Sequence, residues 1–372
     1  TGFSSNVRLK LCRQHKHSLR AKTERRNTME LKTGAYTILF QNGGLSVVKD
    51  GKQLYFNRRP IYVAVKTYAA INEFRDCTYD VIRKTDDGVL AEARFITGNG
   101  SVLFIRDLYS IQGRSLKIAR TAVVEKAAEN DLGFQTKLFF YQAQSDALTD
   151  YYYFSPGQWY RHNEFAGAYA LGKNMDLQYY YRKETYSGLP MFAMQHIDSG
   201  ETISMSRWAA NATLPSLDRT ATENYAYVDP KMTIGSFGVS KAKPEALTYT
   251  YYGHMIATPL PHTQCDGVSI DYIYPAVNGQ MPAAAHGPFN VDLPLRNITW
   301  VHPMREGFAQ DYAVAVNFAR YPDFNTMMRM TWREVYPRLK DRLFEVDNAL
   351  LFDNMMKFLK TVTRRFGTAW GT

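Results

Sequence analysis

VLFIRDLYSIQGRSLKIARTAVV, residues 102–124, is the stretch that decides the fold. Two runs of branched, aromatic and aliphatic residues flank Gln112-Gly113-Arg114-Ser115, a polar turn with a glycine, as in a β-hairpin. Leu116, Ile118 and Arg120 fall on one parity, Lys117 and Ala119 on the other. That imperfect alternation predicts a sheet covered on both faces. The same grammar continues outward. Upstream lie YTILF (36–40), LSVVKDGKQLYF (45–56) with Asp50-Gly51 as a hairpin signal, and IYVAVKTY (61–68). TYDVIRKTDDGVLAEARFIT (78–97) follows, turning at Asp86-Asp87-Gly88. Downstream come FQTKLFFYQA (134–143), MTIGSFGVS (232–240), LTYTYYGHMIA (247–257) and YAVAVNFAR (312–320). Strands at this spacing, with few helices between them, predict a sandwich or barrel rather than a parallel α/β fold. The expected architecture is mainly β: one large two-sheet antiparallel supersandwich over residues 29–320.

At Tyr321 the period changes from two to three and four. In YPDFNTMMRMTWREVYPRLK (321–340), Phe324, Met327, Met328, Trp332, Val335, Tyr336 and Leu339 trace one helical face. Pro322 and Asp323 suit its start, and Pro337 is expected to end or kink it. DNALLFDNMMKFLKTVTRRF (347–366) predicts a second amphipathic helix, with Arg364 and Arg365 in its last turn and Gly367 as its cap. Residues 321–372 therefore read as a helical linker, possible start of a further helical domain. One face of the pair is expected on the sandwich and the other under another helical layer; a hairpin that docks and finishes the fold is the alternative.

The net charge of +10 does not mark a nucleic-acid binder. Residues 1–28 hold eight Lys and Arg against Glu24 alone, a net of +7, which leaves +3 on the other 344 residues. The remainder is nearly balanced, so no nucleic-acid partner is expected. The basic tail has no apolar core of a secretory signal, and Met29 stands where the ordered pattern begins. The tail is read as disordered or non-native sequence, with a functional basic arm as the alternative. No apolar run is long enough to span a membrane, so no membrane partner is expected. Cys12, Cys77 and Cys265 contain no CxxC pair and favour a reducing compartment, hence the cytoplasm.

The chemistry concentrates between residues 150 and 208, which hold nine of the 26 tyrosines together with Trp159 and Trp208. DYYYFSPGQWYRHNE (150–164) breaks at Ser155-Pro156-Gly157 and runs on into Trp159, Tyr160, Arg161, His162, Asn163 and Glu164. A sugar ring offers an apolar C–H face and a rim of hydroxyls. Aromatic side chains can stack on the face while Arg, Asn, His and carboxylates bridge the rim. The expectation is that Ser155-Pro156-Gly157 turns the chain out of its strand and presents these six residues, Trp159 to Glu164, on a loop. The plainer reading of YYYF and QYYYR is core and cross-strand packing.

No nucleotide, serine-hydrolase or metalloprotease motif occurs, and the eight histidines lack metal-ligand spacing; no metal or cofactor is expected. Glycoside cleavage needs two carboxyls at a set separation. Asp198, Glu201, Asp266, Asp271 and Glu306 are present, yet no spacing among them fixes a shared site. The sequence names no catalytic pair. For proton transfer at a sugar ring, His162 with Glu164 or His196 with Glu184 are the available combinations.

The order of parts resembles multidomain carbohydrate-active enzymes in which a galactose-mutarotase-like supersandwich precedes an (α/α)6 six-hairpin toroid. The glucoamylase-like hydrolases and the maltose- and cellobiose-phosphorylase-like enzymes are built this way. The resemblance covers residues 34–366 by architecture, with SPGQWYRHNE (155–164) and TWREVYP (331–337) as its most suggestive pieces. It implies a glycoside hydrolase or phosphorylase acting on an oligo- or polysaccharide. The catalytic acid would come from a helical domain C-terminal to this chain, and Trp159 to Glu164 would wall the cleft against a carbohydrate ligand. A stand-alone carbohydrate-binding module or a mutarotase-like epimerase is the alternative.

Overall fold

The computed structural model describes residues 29–67, 73–157, 159–161, 179–208, 219–221, 226–241, 248–251, 254–257, 267–280, 298–339, 347–366 and 369–371. The expected tail, residues 1–28, lies outside them, as do His162, Asn163, Glu164 and Asp266. Two large sheets face one another, one of fourteen strands and one of nine. Among the described residues pairing is antiparallel apart from one short parallel contact, Ala226–Val228 beside Ile298–Pro303.

The opening hairpin pairs Val102–Gln112 with Ser115–Lys126 across the two-residue loop Gly113-Arg114. At Asp50-Gly51 both residues have positive φ, 50° and 75°. This is the backbone twist that lets a two-residue loop join twisted strands, and Gly51 adopts it without steric cost. The nine-stranded sheet runs Trp159–Arg161, Tyr151–Ser155, Met191–His196, Glu201–Arg207, Ala309–Arg320, then the opening hairpin, Gly88–Ile96 and Val81–Thr85.

The alternation of the opening hairpin is cleaner than its sequence suggests. Leu116, Ile118, Arg120, Ala122 and Val124 are buried, while Lys117, Ala119, Thr121 and Val123 are half-buried. Arg120 is an inward residue rather than a break in the pattern. Coverage of both faces holds instead for the fourteen-stranded sheet. Its strands Ile61–Thr67, Ser236–Ser240 and Ser269–Tyr274 are buried throughout. A second apolar cluster of Phe56, Tyr62, Ala64, Phe139 and Tyr141 forms apart from the inter-sheet core.

Two buried polar groups of the sandwich, Arg120 and His302, are held by several partners each. Arg120 donates from Nε and Nη2 to the two carboxylate oxygens of Asp107, at 2.7 and 2.6 Å, and from Nη1 to the Lys137 carbonyl at 2.7 Å. The Tyr79 hydroxyl donates to Asp107 and meets the Tyr109 hydroxyl at 2.6 Å. Burial alone would pull the Arg120 pKa down; the Asp107 charge holds it well above the ordinary value. His302 is buried, with Nε2 donating to the Met232 carbonyl at 2.6 Å and Nδ1 accepting from the Gln310 amide at 2.9 Å.

Burial pulls the His302 pKa down to about 4, so the folded protein keeps the ring neutral. Between that value and about 6.5 the unfolded chain takes up a proton that the folded chain refuses. Stability therefore falls as pH falls through this window, by a total of about 3 kcal/mol from this one residue. Urea unfolding at pH 7 and near pH 4.5 is expected to show a smaller acid loss in His302→Gln than in the parent. Equal losses would contradict the assignment.

The first helix, Phe324–Leu339, starts at Asp323, which accepts from the Thr326 amide at 2.9 Å and from the Thr326 hydroxyl at 2.7 Å. Pro337 lies inside it, two residues before its end. Phe324, Met327 and Val335 bury themselves with Phe154, Met191 and Ala193 on the nine-stranded sheet and with Leu189 just before it. The second helix, Asn348–Val362, is capped by Asp347, which accepts from the Ala349 and Leu350 amides at 3.0 and 3.1 Å. All its side chains that the structure describes are exposed, Leu350, Leu351, Phe352, Met355 and Phe358 among them. Of the pair, the first helix thus supplies the face expected on the sandwich, while the described side chains of the second do not pack on it.

The end of that helix also differs from expectation. It stops at Val362, inside the β-branched run Thr361-Val362-Thr363, which has poor helix propensity. Arg364–Phe366 then pairs with Ala369–Gly371. Arg364 and Arg365 therefore sit on a short strand, and Gly367 lies outside the described residues.

Candidate functional site

Tyr151–Ser155 and Trp159–Arg161 form a tight hairpin at the edge of the nine-stranded sheet, with Ser155 opposite Trp159 and Tyr153 opposite Arg161. Of the expected loop, Trp159–Arg161 is thus an edge strand folded back on its own sheet, and His162, Asn163 and Glu164 lie outside the described residues. Pro156-Gly157 makes the turn, and the Pro156 carbonyl accepts from the Gly188 amide at 3.0 Å. Within the strand Tyr151–Ser155, inward and outward positions part as the pleat requires. Tyr151 and Tyr153 are fully buried in the inter-sheet core, Tyr153 donating to the Leu148 carbonyl at 2.6 Å. The packing reading of the tyrosine run is correct for these two, and for Tyr181.

The other side of the hairpin meets the first helix. Phe154 is buried between two rings, Tyr160 at 5.5 Å and Trp332 at 6.5 Å between centroids. Tyr160 and Trp332 keep 41% and 38% of their surface exposed, and Tyr336, one helical turn beyond, keeps 43%. The Tyr160 hydroxyl accepts from the Gly157 amide at 2.9 Å, which fixes the ring. Arg161 has φ +54° and sets its guanidinium 5.9 Å from the Tyr152 ring centroid and 5.3 Å from that of Phe324. Of Trp159 the structure describes the backbone alone.

Trp332 and Tyr336 belong to the helical face that the apolar spacing traces, yet both stay half exposed. The spacing of Trp332 from Met328 and Val335 is helical, but the helix docks through the narrower stripe of Phe324, Met327, Thr331 and Val335. That leaves Trp332 at the margin, beside the hairpin turn. Aromatic side chains from the sheet edge and the helix thus form one half-exposed surface with a guanidinium beside it. Such a surface can stack a flat apolar face and donate hydrogen bonds at its rim.

The remaining candidates are dispersed. Glu201 is buried and accepts from the Tyr36 hydroxyl and from Lys49, each at 2.7 Å. Asp271 is buried beside Lys137 at 3.3 Å. Asp198 and Glu306 are exposed. Glu184 is buried, with Oε1 accepting from Arg207 at 2.5 Å and from the Gly235 amide at 2.8 Å, and burial pushes its pKa up. His196 packs edge-on to Tyr151, with Nδ1 3.1 Å from the Ser199 hydroxyl. His196 and Glu184 thus have separate partners and do not share a site. Among the described residues no three His, Cys, Asp or Glu side chains gather as metal ligands, and no helix is long and apolar enough to cross a membrane.

No protein-family model matches the chain, and no curated protein matches it by sequence. Among solved structures it is similar to a galactose mutarotase related enzyme from Lactobacillus acidophilus, at 8% identity and a TM-score of 0.38, covering 80% of this chain and 99% of that one. A GalM/aldose epimerase homologue from C. elegans is similar at 10% identity and a TM-score of 0.37, covering 79% of this chain and 98% of that one. A protein from Synechocystis gives 10% identity, a TM-score of 0.37, and coverage of 82% and 100%. At these values the likeness carries no argument about activity; the two-sheet architecture stands on the strand pairing itself.

Proposed function

We propose that this sandwich and its first helix form one wall of the substrate cleft of a carbohydrate-active enzyme, a glycoside hydrolase or phosphorylase acting on an oligo- or polysaccharide. The observation that carries the reading is the half-exposed pair Tyr160 and Trp332, which come from different elements and pack on the same buried Phe154. Two large rings left in water at a sheet edge lose the benefit of burial unless a ligand covers them. A pyranose C–H face fits that role, and Arg161 stands at the rim. His162, Asn163 and Glu164 follow directly in sequence and would supply further hydroxyl contacts.

The catalytic acid would come from a helical layer seated on the second helix. Support for that layer is the apolar surface of Leu350, Leu351, Phe352, Met355 and Phe358, each about half exposed or more. The epimerase alternative needs a histidine and a carboxylate on one ring, and the separate partners of His196 and Glu184 count against that pair.

Titration of the chain with maltotetraose and cellotetraose tests the wall. Trp332→Ala and Tyr160→Ala are each expected to weaken saccharide binding about tenfold, the loss of one stacked ring. The change in stability should stay within about 1 kcal/mol, because both side chains are half exposed. Wild-type affinity in both variants, or a parent that binds neither saccharide, would overturn the reading.

A further inference from the structure

A cleft of about 390 Å³ opens well inside the sheet, on residues that the aromatic wall does not use. The strand Glu201–Arg207 ends at Arg207, opposite Val314, and Trp208 makes one more bond, to the Ala313 carbonyl. Beyond that point Ala309–Arg320 runs on past Asp311 and Tyr312, with the opening hairpin on one flank. Thr233 and Tyr274, on the side of the fourteen-stranded sheet, close the other flank.

Arg207 is held rigidly here. Its Nη1 donates to Glu184, to the Thr233 carbonyl at 2.7 Å and to the Tyr272 hydroxyl at 2.9 Å, and its guanidinium lies 5.4 Å from the Tyr274 ring centroid. Tyr274 and Tyr312 pack ring to ring at 4.6 Å. At the exposed rim of the cleft, Asp311 accepts from the Thr121 hydroxyl at 2.6 Å.

The charges exclude a simple anion site. Arg120 is committed to Asp107 and to two backbone carbonyls, and Arg207 is balanced by Glu184. Asp311 then adds a negative charge to two guanidiniums that are each already balanced by a buried carboxylate. What remains is a lining with the Arg207 cation and the Tyr274 and Tyr312 rings at its buried end and the Asp311 carboxylate and Thr121 hydroxyl nearer solvent. Those are complementary to vicinal hydroxyls on a neutral ring.

We propose that this cleft is a second ligand site, for a neutral polyhydroxylated molecule the size of a mono- or disaccharide. Its hydroxyls would bridge Arg207 and Asp311 while its ring lies against Tyr274. The site shares no residue with the Tyr160–Trp332 surface, so either can fail without the other.

Calorimetric titration of the full chain with D-glucose, D-galactose, maltose and myo-inositol tests it, with sodium phosphate as the anion probe. At least one neutral probe should bind. Ala313→Trp, which fills the cleft from a half-buried position, and Asp311→Ala, which removes an exposed acceptor, should each weaken that probe about tenfold. Trp332→Ala should leave it unchanged. Should Ala313→Trp melt early, Asp311→Ala decides alone. The inference is overturned if no neutral probe binds, if the cleft variants bind as the parent does, or if phosphate binds more tightly than every neutral probe. Weakening confined to Trp332→Ala would also overturn it and leave the wall standing.

Discussion

Arg120→Met is expected to cost about 3–5 kcal/mol and, in a domain of this size, to lower the melting temperature by roughly 10 °C. The reason is what the substitution leaves behind. Arg120 and Asp107 are both fully buried, and two parallel hydrogen bonds join them. Without the guanidinium, the Asp107 carboxylate keeps only the Tyr79 hydroxyl and must stay charged in an apolar layer or take up a proton. Either choice is expensive. The pair itself is a weaker source of stability than this loss suggests, because burying two charges costs much of what their attraction returns. The double variant Arg120→Met, Asp107→Leu should therefore recover at least half of the single loss. A loss below about 1 kcal/mol in the single variant, or a double variant equal to the sum of both singles, would contradict the account.

Asp271→Ala is the second large expected effect, again about 3–5 kcal/mol. The Lys137 ammonium lies 3.3 Å from Asp271 Oδ2 with both side chains buried. The Tyr181 hydroxyl and the Ser240 hydroxyl, the latter at 2.8 Å, donate to the same oxygen. Removing the carboxylate takes the nearby anion from a buried ammonium and an acceptor from two hydroxyls. Lys137 also sits 4.4 Å from the Phe139 ring centroid and 5.0 Å from that of Tyr62, contacts that soften the loss without replacing the anion. Adding Lys137→Met to Asp271→Ala should restore part of the stability, because the ammonium that had lost its carboxylate is then removed with it. Chemical denaturation of the four proteins of this cycle measures the coupling; strict additivity would show that the pair does not interact.

The hairpins were legible because their signals are local. Asp50-Gly51 and Gln112–Ser115 sit between runs of period two, and a two-residue loop fixes the register of everything on either side. That same register carried information that residue-by-residue reading passed over. Pairing Gln112 with Ser115 places Asp107 directly opposite Arg120. Two opposite charges on matched inward positions announce a buried pair, whereas Arg120 taken alone looks like a break in the alternation.

The site was harder to read for a different reason. Tyr151, Tyr153 and Tyr160 share a residue type and a neighbourhood, yet the first two are core and the third is half exposed. The pleat separates Tyr152 from its neighbours, but only the fold-back of Trp159–Arg161 onto Tyr151–Ser155 puts Tyr160 on the edge. Trp332 has helical spacing in common with Val335, and which of the two is buried depends on the angle at which the helix docks. The second helix shows the same limit. Its amphipathic pattern predicts its existence and its Asp347 start, but not what its apolar side chains touch.

A crystal structure of the chain with maltotetraose or cellotetraose bound tests the central claim most directly. The account predicts a sugar ring stacked on Trp332 or Tyr160, with hydroxyls in reach of Arg161. Saccharide bound elsewhere with this surface bare, or no saccharide bound at all, would contradict it.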